Sequence, residues 1–390
     1  MKNKKVLVIT TDTFLPKRDG VTTFLANIIP ELSERYKIRI LAPSYNKKHW
    51  TETWQGAEVV RFPVSSLGLS GYPAVKATPW RIKPYLKDAN IVWVNSAAPL
   101  GASAMMAARS LKRQGHAVKL IAFTHAIEWD QLTHVVLRSK WLKKQLIRLV
   151  AYLGWYFYNK CDHLLVPSEG VAQELLSKHI KTQKTVVPLG VDSDAFTIPT
   201  RREKLLAKRR LGYRPNDVII GYCGRLSPEK DVETLAEACA LLRQHNNRLN
   251  HNLKLLIVGD GNHENVTDFL DDKYKITGFV KNVVPYVHAM DIFVMPSLTE
   301  TTSLATLEAM SCGLPIVATP VGHIKDYIIK GYNGFLFPKE DPKLLAQKLY
   351  KLIQNPSLRE RIGKKARKTV LEKYTWERTI VKLQRLLDSL

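Results

Sequence analysis

Ile292-Phe293-Val294-Met295-Pro296-Ser297-Leu298-Thr299-Glu300-Thr301-Thr302-Ser303-Leu304-Ala305-Thr306-Leu307-Glu308-Ala309-Met310 is the stretch on which the reading of this chain turns. Four apolar residues at 292–295 read as a buried strand. A polar loop follows, and a helix is predicted to begin near Thr302 or Ser303. A strand–loop–helix unit of this kind points the helix's free N–H groups and positive dipole end at whatever lies above the sheet, which suits a phosphate. Glu308 then lies a turn and a half into the helix, placed to accept hydrogen bonds from a ribose diol, and Glu300 lies in the loop. At about 1.5 Å of rise per residue, helical positions this far apart are on the order of 12 Å from each other. Paired glycosidase carboxylates lie roughly 5–9.5 Å apart, so the two glutamates suit two parts of one long ligand better than two sides of a scissile bond. A capping acid plus a surface glutamate is the plainer alternative.

A second segment upstream, Gly221-Tyr222-Cys223-Gly224-Arg225-Leu226-Ser227-Pro228-Glu229-Lys230-Asp231, also runs from a strand into a glycine turn. It offers Arg225 and, five residues on, Lys230. A planar guanidinium fork and a compact ammonium are the groups that hold a diphosphate and neutralise it as it leaves. The competing reading is a solvated turn whose two cations pair with Glu229 and Asp231.

Working outward, short β-branched runs at 6–10, 38–42, 91–95, 119–123 and 163–166 alternate with helical patterns such as 22–35 and 101–114. A second series has strands at 218–223, 253–258, 292–295 and 315–318, and helices at 234–243, 303–310 and 343–353. Pro188-Leu189-Gly190-Val191-Asp192 punctuates the two series. The fold class is therefore α/β, with two doubly wound, Rossmann-like domains of parallel sheet facing each other across a cleft. The expected boundaries are 1–195, 196–370 and a terminal helix at 371–390.

The chain has 390 residues, 45% apolar and 24% charged, enough for two buried cores. Cys161, Cys223, Cys239 and Cys312 are far apart, which argues against a disulfide framework or a Cys-based metal site. The opening apolar run, Val6-Leu7-Val8-Ile9, is too short for a signal peptide core. No stretch reaches the roughly 18 apolar residues of a membrane span, so a cytoplasmic location is expected. A net charge of +24 calls for an anionic partner: nucleic acid, an anionic membrane surface or a phosphorylated substrate.

The order Gly224-Arg225-Leu226-Ser227-Pro228-Glu229-Lys230, Val258-Gly259-Asp260-Gly261, two spaced glutamates, then Ala309-Met310-Ser311-Cys312-Gly313-Leu314-Pro315 resembles the large family of retaining glycosyltransferases with the GT-B fold. Sucrose synthases, mannosyltransferases and bacterial glycolipid synthases belong to it. The resemblance runs over essentially the whole chain and is strongest at 218–340. It implies that Arg225 and Lys230 bind the donor diphosphate, that Glu308 binds ribose, that Glu300 lies by the transferred sugar, and that the backbone at Ser303 and Leu304 touches phosphate. Gly224 and Gly20 are implied as close backbone approaches to the donor, and His125, in Phe123-Thr124-His125-Ala126, as a residue beside the sugar. The family has glycine near 303 and a second glycine at 19, where this chain has Ser303 and Asp19. It implies no cofactor and no metal, a UDP- or GDP-sugar donor, and front-face attack in which the leaving phosphate takes the acceptor's proton.

Residues 131–161 carry no acidic side chain. A helix at about 134–158 is predicted, with Val135, Leu142, Leu146, Leu149, Val150, Leu153 and Phe157 as one stripe, and Lys140, Lys143, Lys144 and Arg148 outside it. With Trp141, Trp155, Tyr156 and Tyr158, this is the pattern of a helix lying in an anionic membrane surface; a core-packing helix with a solvated basic face is the alternative. Bacterial diacylglycerol glucosyltransferases resemble the chain here and at Glu300-Thr301, which implies a membrane glycerolipid acceptor and a peripheral place on the inner face of the cell membrane. The basic stretch at 201–214 reads as a solvated helix. Nucleic-acid binding is disfavoured: the basic residues are interleaved with β/α units, and no recognition helix or zinc spacing accompanies them. Donor base, transferred hexose, acceptor and oligomeric state are left open.

Overall fold

The computed structural model describes residues 4–17, 19–46, 48–69, 72–96, 98–124, 140–244, 253–261 and 274–390. It divides into two compact units, Met1–Pro188 with Trp376–Leu390, and Leu189–Thr375.

The first unit contains β1 (Val6–Thr10), β2 (Lys37–Ser44), β3 (Trp50–Trp54), β4 (Ala57–Leu69), β5 (Tyr72–Val75), β6 (Ile91–Val94), β7 (Lys119–Phe123), β8 (His163–Val166) and β9 (Lys184–Val186). Its helices up to this point are α1 (Gly20–Ser33), α2 (Pro79–Ile82), α3 (Pro99–Arg113), α4 (Lys140–Tyr158) and α5 (Glu169–Ser177). The sheet runs β3-β4-β2-β1-β6-β7-β8-β9, with β5 paired to β4. Strand β1 lies between β2 and β6, so the strand order reverses at its carboxyl end. Along that order the sheet is parallel from β4 to β9, as expected, but β3 and β5 both pair antiparallel with β4. Gln55 and Gly56, both at positive φ (49° and 79°), form the tight turn that joins them. Trp50-Thr51-Glu52-Thr53-Trp54 carries too few apolar residues to read as a buried strand, because it is an edge strand with one partner.

Helix α4 departs from its predicted stripe. Val150 and Phe157 pack inward, whereas Leu142, Leu149 and Leu153 are exposed, along with Trp141, Tyr152 and Trp155. The inward face contacts the core through Ile147, Val150, Ala151, Phe157 and Tyr158, and the remaining apolar positions face outward. Val135 lies outside the described residues. No helix among the described residues is long and apolar enough to cross a membrane.

The second unit contains α6 (Arg201–Arg210), β10 (Val218–Cys223), α7 (Val232–Gln244), β11 (Leu253–Val258), β12 (Tyr274–Ile276), α8 (Val284–Ala289), β13 (Ile292–Met295), α9 (Leu304–Ser311), β14 (Ile316–Ala318), α10 (Ile324–Tyr327), β15 (Gly334–Leu336), α11 (Pro342–Ile353) and α12 (Pro356–Lys373). Its sheet is parallel throughout, in the order β12-β11-β10-β13-β14-β15, again with a reversal beside the first strand. Helix α6 is not simply solvated. Lys208 is buried, and its ammonium and that of Lys204 each lie 2.8 Å from the Asp291 carboxylate at the foot of β13. Burial alone would raise the Asp291 pKa, but the two ammoniums hold it below the usual carboxylate range.

The first boundary falls at Pro188 because residues 189–196 are held by the second unit's last helix. Val191 N–H donates to Tyr374 O (2.9 Å), and the Arg367 guanidinium donates to the carbonyls of Ser193 (3.0 Å) and Phe196. The closing helix α13 (Trp376–Ser389) belongs to the first unit. There Trp376 packs on Phe24, and Asp388 accepts from Arg35 and from the Tyr36 hydroxyl, each at 2.8 Å.

Candidate functional site

At the carboxyl end of the second unit's sheet, four loops knit together. Gly224 N–H donates to Val258 O (2.9 Å) and Leu226 N–H to Asp260 O (2.8 Å), so the turns after β10 and β11 run side by side. A Cβ on Gly259, at φ 147°, would sit 1.8 Å from Gly224 O, which is why this close pairing requires glycine. The Tyr222 hydroxyl, buried beneath the turn, donates to Arg225 O at 2.7 Å and fixes the residue that offers the guanidinium. Leu298 N–H donates to Glu229 O (2.9 Å), tying the β10 turn to the loop after β13.

That tie brings the two sequence-predicted segments into contact. Lys230 Nζ lies 2.6 Å from a Glu300 carboxylate oxygen, both side chains largely buried, and the buried Ser297 hydroxyl donates to the same oxygen at 3.0 Å. Lys230 is thus not paired with Asp231, which instead accepts from Thr234 at the start of α7. Arg225 is 75% exposed and reaches Glu229 at 3.5 Å, an open contact of little energetic weight.

Helix α9 begins at Leu304, two residues after Thr302 and one after Ser303, because Ser303 is left-handed (φ 57°) and turns the chain into the helix. No side chain caps α9, so the Leu304 and Ala305 N–H groups have no intrahelical acceptor, while Thr306 N–H is the first to find one, donating to Ser303 O (3.1 Å). The loop before the helix is braced from β14 and α10. Gly322 backs directly onto it, where a Cβ would meet Glu300 O at 1.9 Å. His323 N–H donates to Thr301 O (2.7 Å), and the buried Tyr327 hydroxyl donates to Thr302 O (2.8 Å). Burial drives the His323 pKa down to about 4, so its ring is neutral at physiological pH. Gly322, His323 and Tyr327 escape sequence reading, since their only signal is a Val-Gly-His turn after a short strand.

Glu308, on α9, lies within electrostatic reach of Cys223 at the end of β10 and of Cys312. Burial raises its carboxyl to about 7. Burial, with the Glu308 charge adding to it, pushes the Cys223 and Cys312 thiols up to about 12. Among the described residues no cation pairs with Glu308, whereas Glu300 has Lys230.

In the first unit, Gly20 opens α1 and borders open space. The Asp19 carboxylate is engaged in a capping box with Thr22 (2.9 Å). His125 lies outside the described residues. A residue missed in the sequence is Asp12, just past β1, whose buried carboxylate accepts from Leu100 N–H (2.9 Å) and the Ser96 hydroxyl (3.0 Å), capping α3 where Ala98 offers no side chain. Burial raises its pKa, against the opposing effect of those bonds.

Comparison with known proteins fits this arrangement. Residues 18–224 match the family model described as Glycosyltransferase Family 4, and residues 217–355 match that described as Glycosyl transferases group 1. The D-inositol 3-phosphate glycosyltransferase of Stackebrandtia nassauensis is 33% identical over half of this chain and 46% of its own length. The chain thus spans about half the length of such curated relatives. The GDP-mannose-dependent monoacylated alpha-(1-6)-phosphatidylinositol monomannoside mannosyltransferase of Corynebacterium glutamicum is 25% identical over 99% of this chain and 98% of its own. Among solved structures, the sucrose-phosphate synthase of Thermosynechococcus elongatus superposes with a TM-score of 0.78 at 17% identity, covering 99% of both chains. With a largely parallel sheet in each unit, and knitted carboxyl-end loops in the second, the chain has the GT-B fold and belongs to Glycosyltransferase Family 4.

Proposed function

We propose that this glycosyltransferase moves a hexose, with retention of anomeric configuration, from UDP-glucose or GDP-mannose to a membrane glycerolipid such as diacylglycerol or a phospholipid. The observation that carries the donor site is the Lys230–Glu300 contact beside the uncapped start of α9. It puts a cation, a carboxylate and free backbone donors on one small region. In this reading Arg225 and Lys230 neutralise the diphosphate, and Lys230 leaves Glu300 to do so. The N–H groups at Ser303 and Leu304 take phosphate oxygens, and Glu308 accepts from the ribose hydroxyls. Gly224 and Gly20 let backbone approach the donor, while Glu300, freed of Lys230, and His125 contact the hexose. The bond from the anomeric carbon to the diphosphate breaks as the acceptor hydroxyl oxygen bonds on the same face. The hydroxyl proton passes to a phosphate oxygen of the departing nucleotide, with neither metal nor other cofactor taking part.

The lipid acceptor is supported by the Corynebacterium relative, a phosphatidylinositol monomannoside mannosyltransferase, and by the exposed apolar and basic face of α4, which suits an anionic membrane surface on the cytoplasmic side. A soluble or polysaccharide acceptor is the second reading, favoured by the likeness to a sucrose-phosphate synthase. Thermal denaturation with UDP-glucose, GDP-mannose and UDP-N-acetylglucosamine identifies the donor, since a bound donor raises the melting temperature. Free UDP or GDP released only with a lipid acceptor present identifies the acceptor. Arg225→Ala abolishes the donor-induced shift; a variant that keeps the full shift overturns the site.

A further inference from the structure

Both donors that reach Glu300 bind the same oxygen. Lys230 Nζ lies 2.6 Å and the Ser297 hydroxyl 3.0 Å from Oε1, while among the described residues nothing donates to Oε2. Ser297 is fully buried and is pinned from the neighbouring strand. Strand β14 runs into Thr319, whose N–H donates to Met295 O (3.0 Å) and whose hydroxyl donates to Ser297 O (2.5 Å). The Ser297 hydroxyl has one proton and two acceptors in reach, the Glu300 carboxylate and the Met295 sulfur at 3.2 Å. A charged oxygen is far the stronger acceptor, so the proton goes to Glu300. The two donors differ in freedom. The Lys230 ammonium rides on a flexible four-carbon stem, whereas the Ser297 hydroxyl is one carbon from a pinned backbone. The Glu300 side chain is only 10% exposed, and a carboxylate that loses its cation in such a place needs another donor. Among the described residues, Ser297 is that donor.

We infer that Ser297 is a positioning residue for the transferred sugar: its hydroxyl keeps the Glu300 carboxylate in place once Lys230 has moved to the diphosphate, and leaves Oε2 free to accept from a hexose hydroxyl. This rests on the donor reading above and deepens it, by naming what holds the carboxylate after its cation has gone. Without the hydroxyl, Glu300 has no fixed donor and its carboxylate follows the ammonium. The contact to the sugar is then lost, while the contacts to diphosphate and ribose, made by other groups, remain.

The test is calorimetric titration of the full chain with UDP, UDP-glucose, GDP and GDP-mannose, for wild type, Ser297→Ala, Glu300→Ala and the double variant. The readout is the Kd of the sugar nucleotide divided by that of its own nucleoside diphosphate, a ratio that a general loosening of the loop does not move. For the pair that the wild type binds, Ser297→Ala raises the ratio about tenfold, because a hydrogen bond to a charged group is lost. In the Glu300→Ala background the same substitution changes nothing further, as a residue acting through Glu300 requires. An unchanged ratio in Ser297→Ala, or a further rise in the double variant, overturns the inference. So does a Ser297→Ala protein that loses the fold or the nucleoside diphosphate as well, since the hydroxyl then serves only the folding of the loop. If Glu300→Ala itself keeps the wild-type ratio, the contact between Glu300 and the hexose falls, and the role of Ser297 falls with it. If the wild type binds none of the four ligands, the donor site itself falls.

Discussion

Replacing Glu308 with Gln makes the donor-free protein more stable above neutral pH, and the size of the gain follows from burial. The Glu308 carboxyl is raised from 4.5 to about 7 because burial disfavours its charged form. The folded state therefore holds this proton more tightly than the unfolded chain does. Stability contributed by the proton is fully present below about 4.5 and is lost as pH rises through about 7. At 1.36 kcal/mol per pH unit the full loss is about 3 kcal/mol. Gln is neutral at every pH and has nothing to lose. The measurement is the melting temperature of wild type and Glu308→Gln from pH 5 to pH 8 without donor, by scanning calorimetry. The difference between the two proteins at pH 8, minus that at pH 5, removes any pH-independent packing cost of the amide. At roughly 2–4 °C per kcal/mol for a domain of this size, it approaches 10 °C. Parallel pH profiles for the two proteins would refute the reasoning. Under the proposed ribose contact the same burial has a second consequence: two donated hydroxyls favour the carboxylate, so donor binding releases a proton and weakens as pH falls below about 7.

Two further outcomes follow from geometry already described. Asp291→Ala strands the buried Lys208 ammonium and leaves Ile219 N–H without its acceptor, so urea denaturation reports a loss of about 3–5 kcal/mol; a loss below about 1 kcal/mol would mean the cluster is solvated. Ser303→Gly removes the cost of a left-handed non-glycine residue at the start of α9, so melting rises by the equivalent of about 1 kcal/mol; an unchanged or lower melting point would mean that the Ser303–Thr306 hydroxyl contact (2.8 Å) outweighs the strain.

The strands that carry the site were readable from the chain because they are buried on both faces. Val218–Cys223, Leu253–Val258 and Ile292–Met295 are near-continuous apolar runs, and such runs leave little doubt of a central parallel strand. The hairpin of β3 and β4 and the short edge strands β12 and β15 were not readable, since an edge strand has one partner and needs no such run. The stripe on α4 was misjudged for a related reason. Periodicity fixes which residues share a side of a helix, but not which side meets the core, and here two apolar sides exist.

The sequence by itself determined the α/β class, the central strands, and the pairing of a cationic turn with a spaced pair of glutamates. These are local properties, set by hydrophobic period and by the chemistry of turn residues. Only the tertiary structure decided that Lys230 meets Glu300 rather than Asp231, that Ser297, Gly322, His323 and Tyr327 hold the loop in place, and that Glu308 keeps its proton to near neutrality. Each of these depends on atoms brought together from distant positions in the chain, and burial and hydrogen bonding do not exist until the fold assembles them.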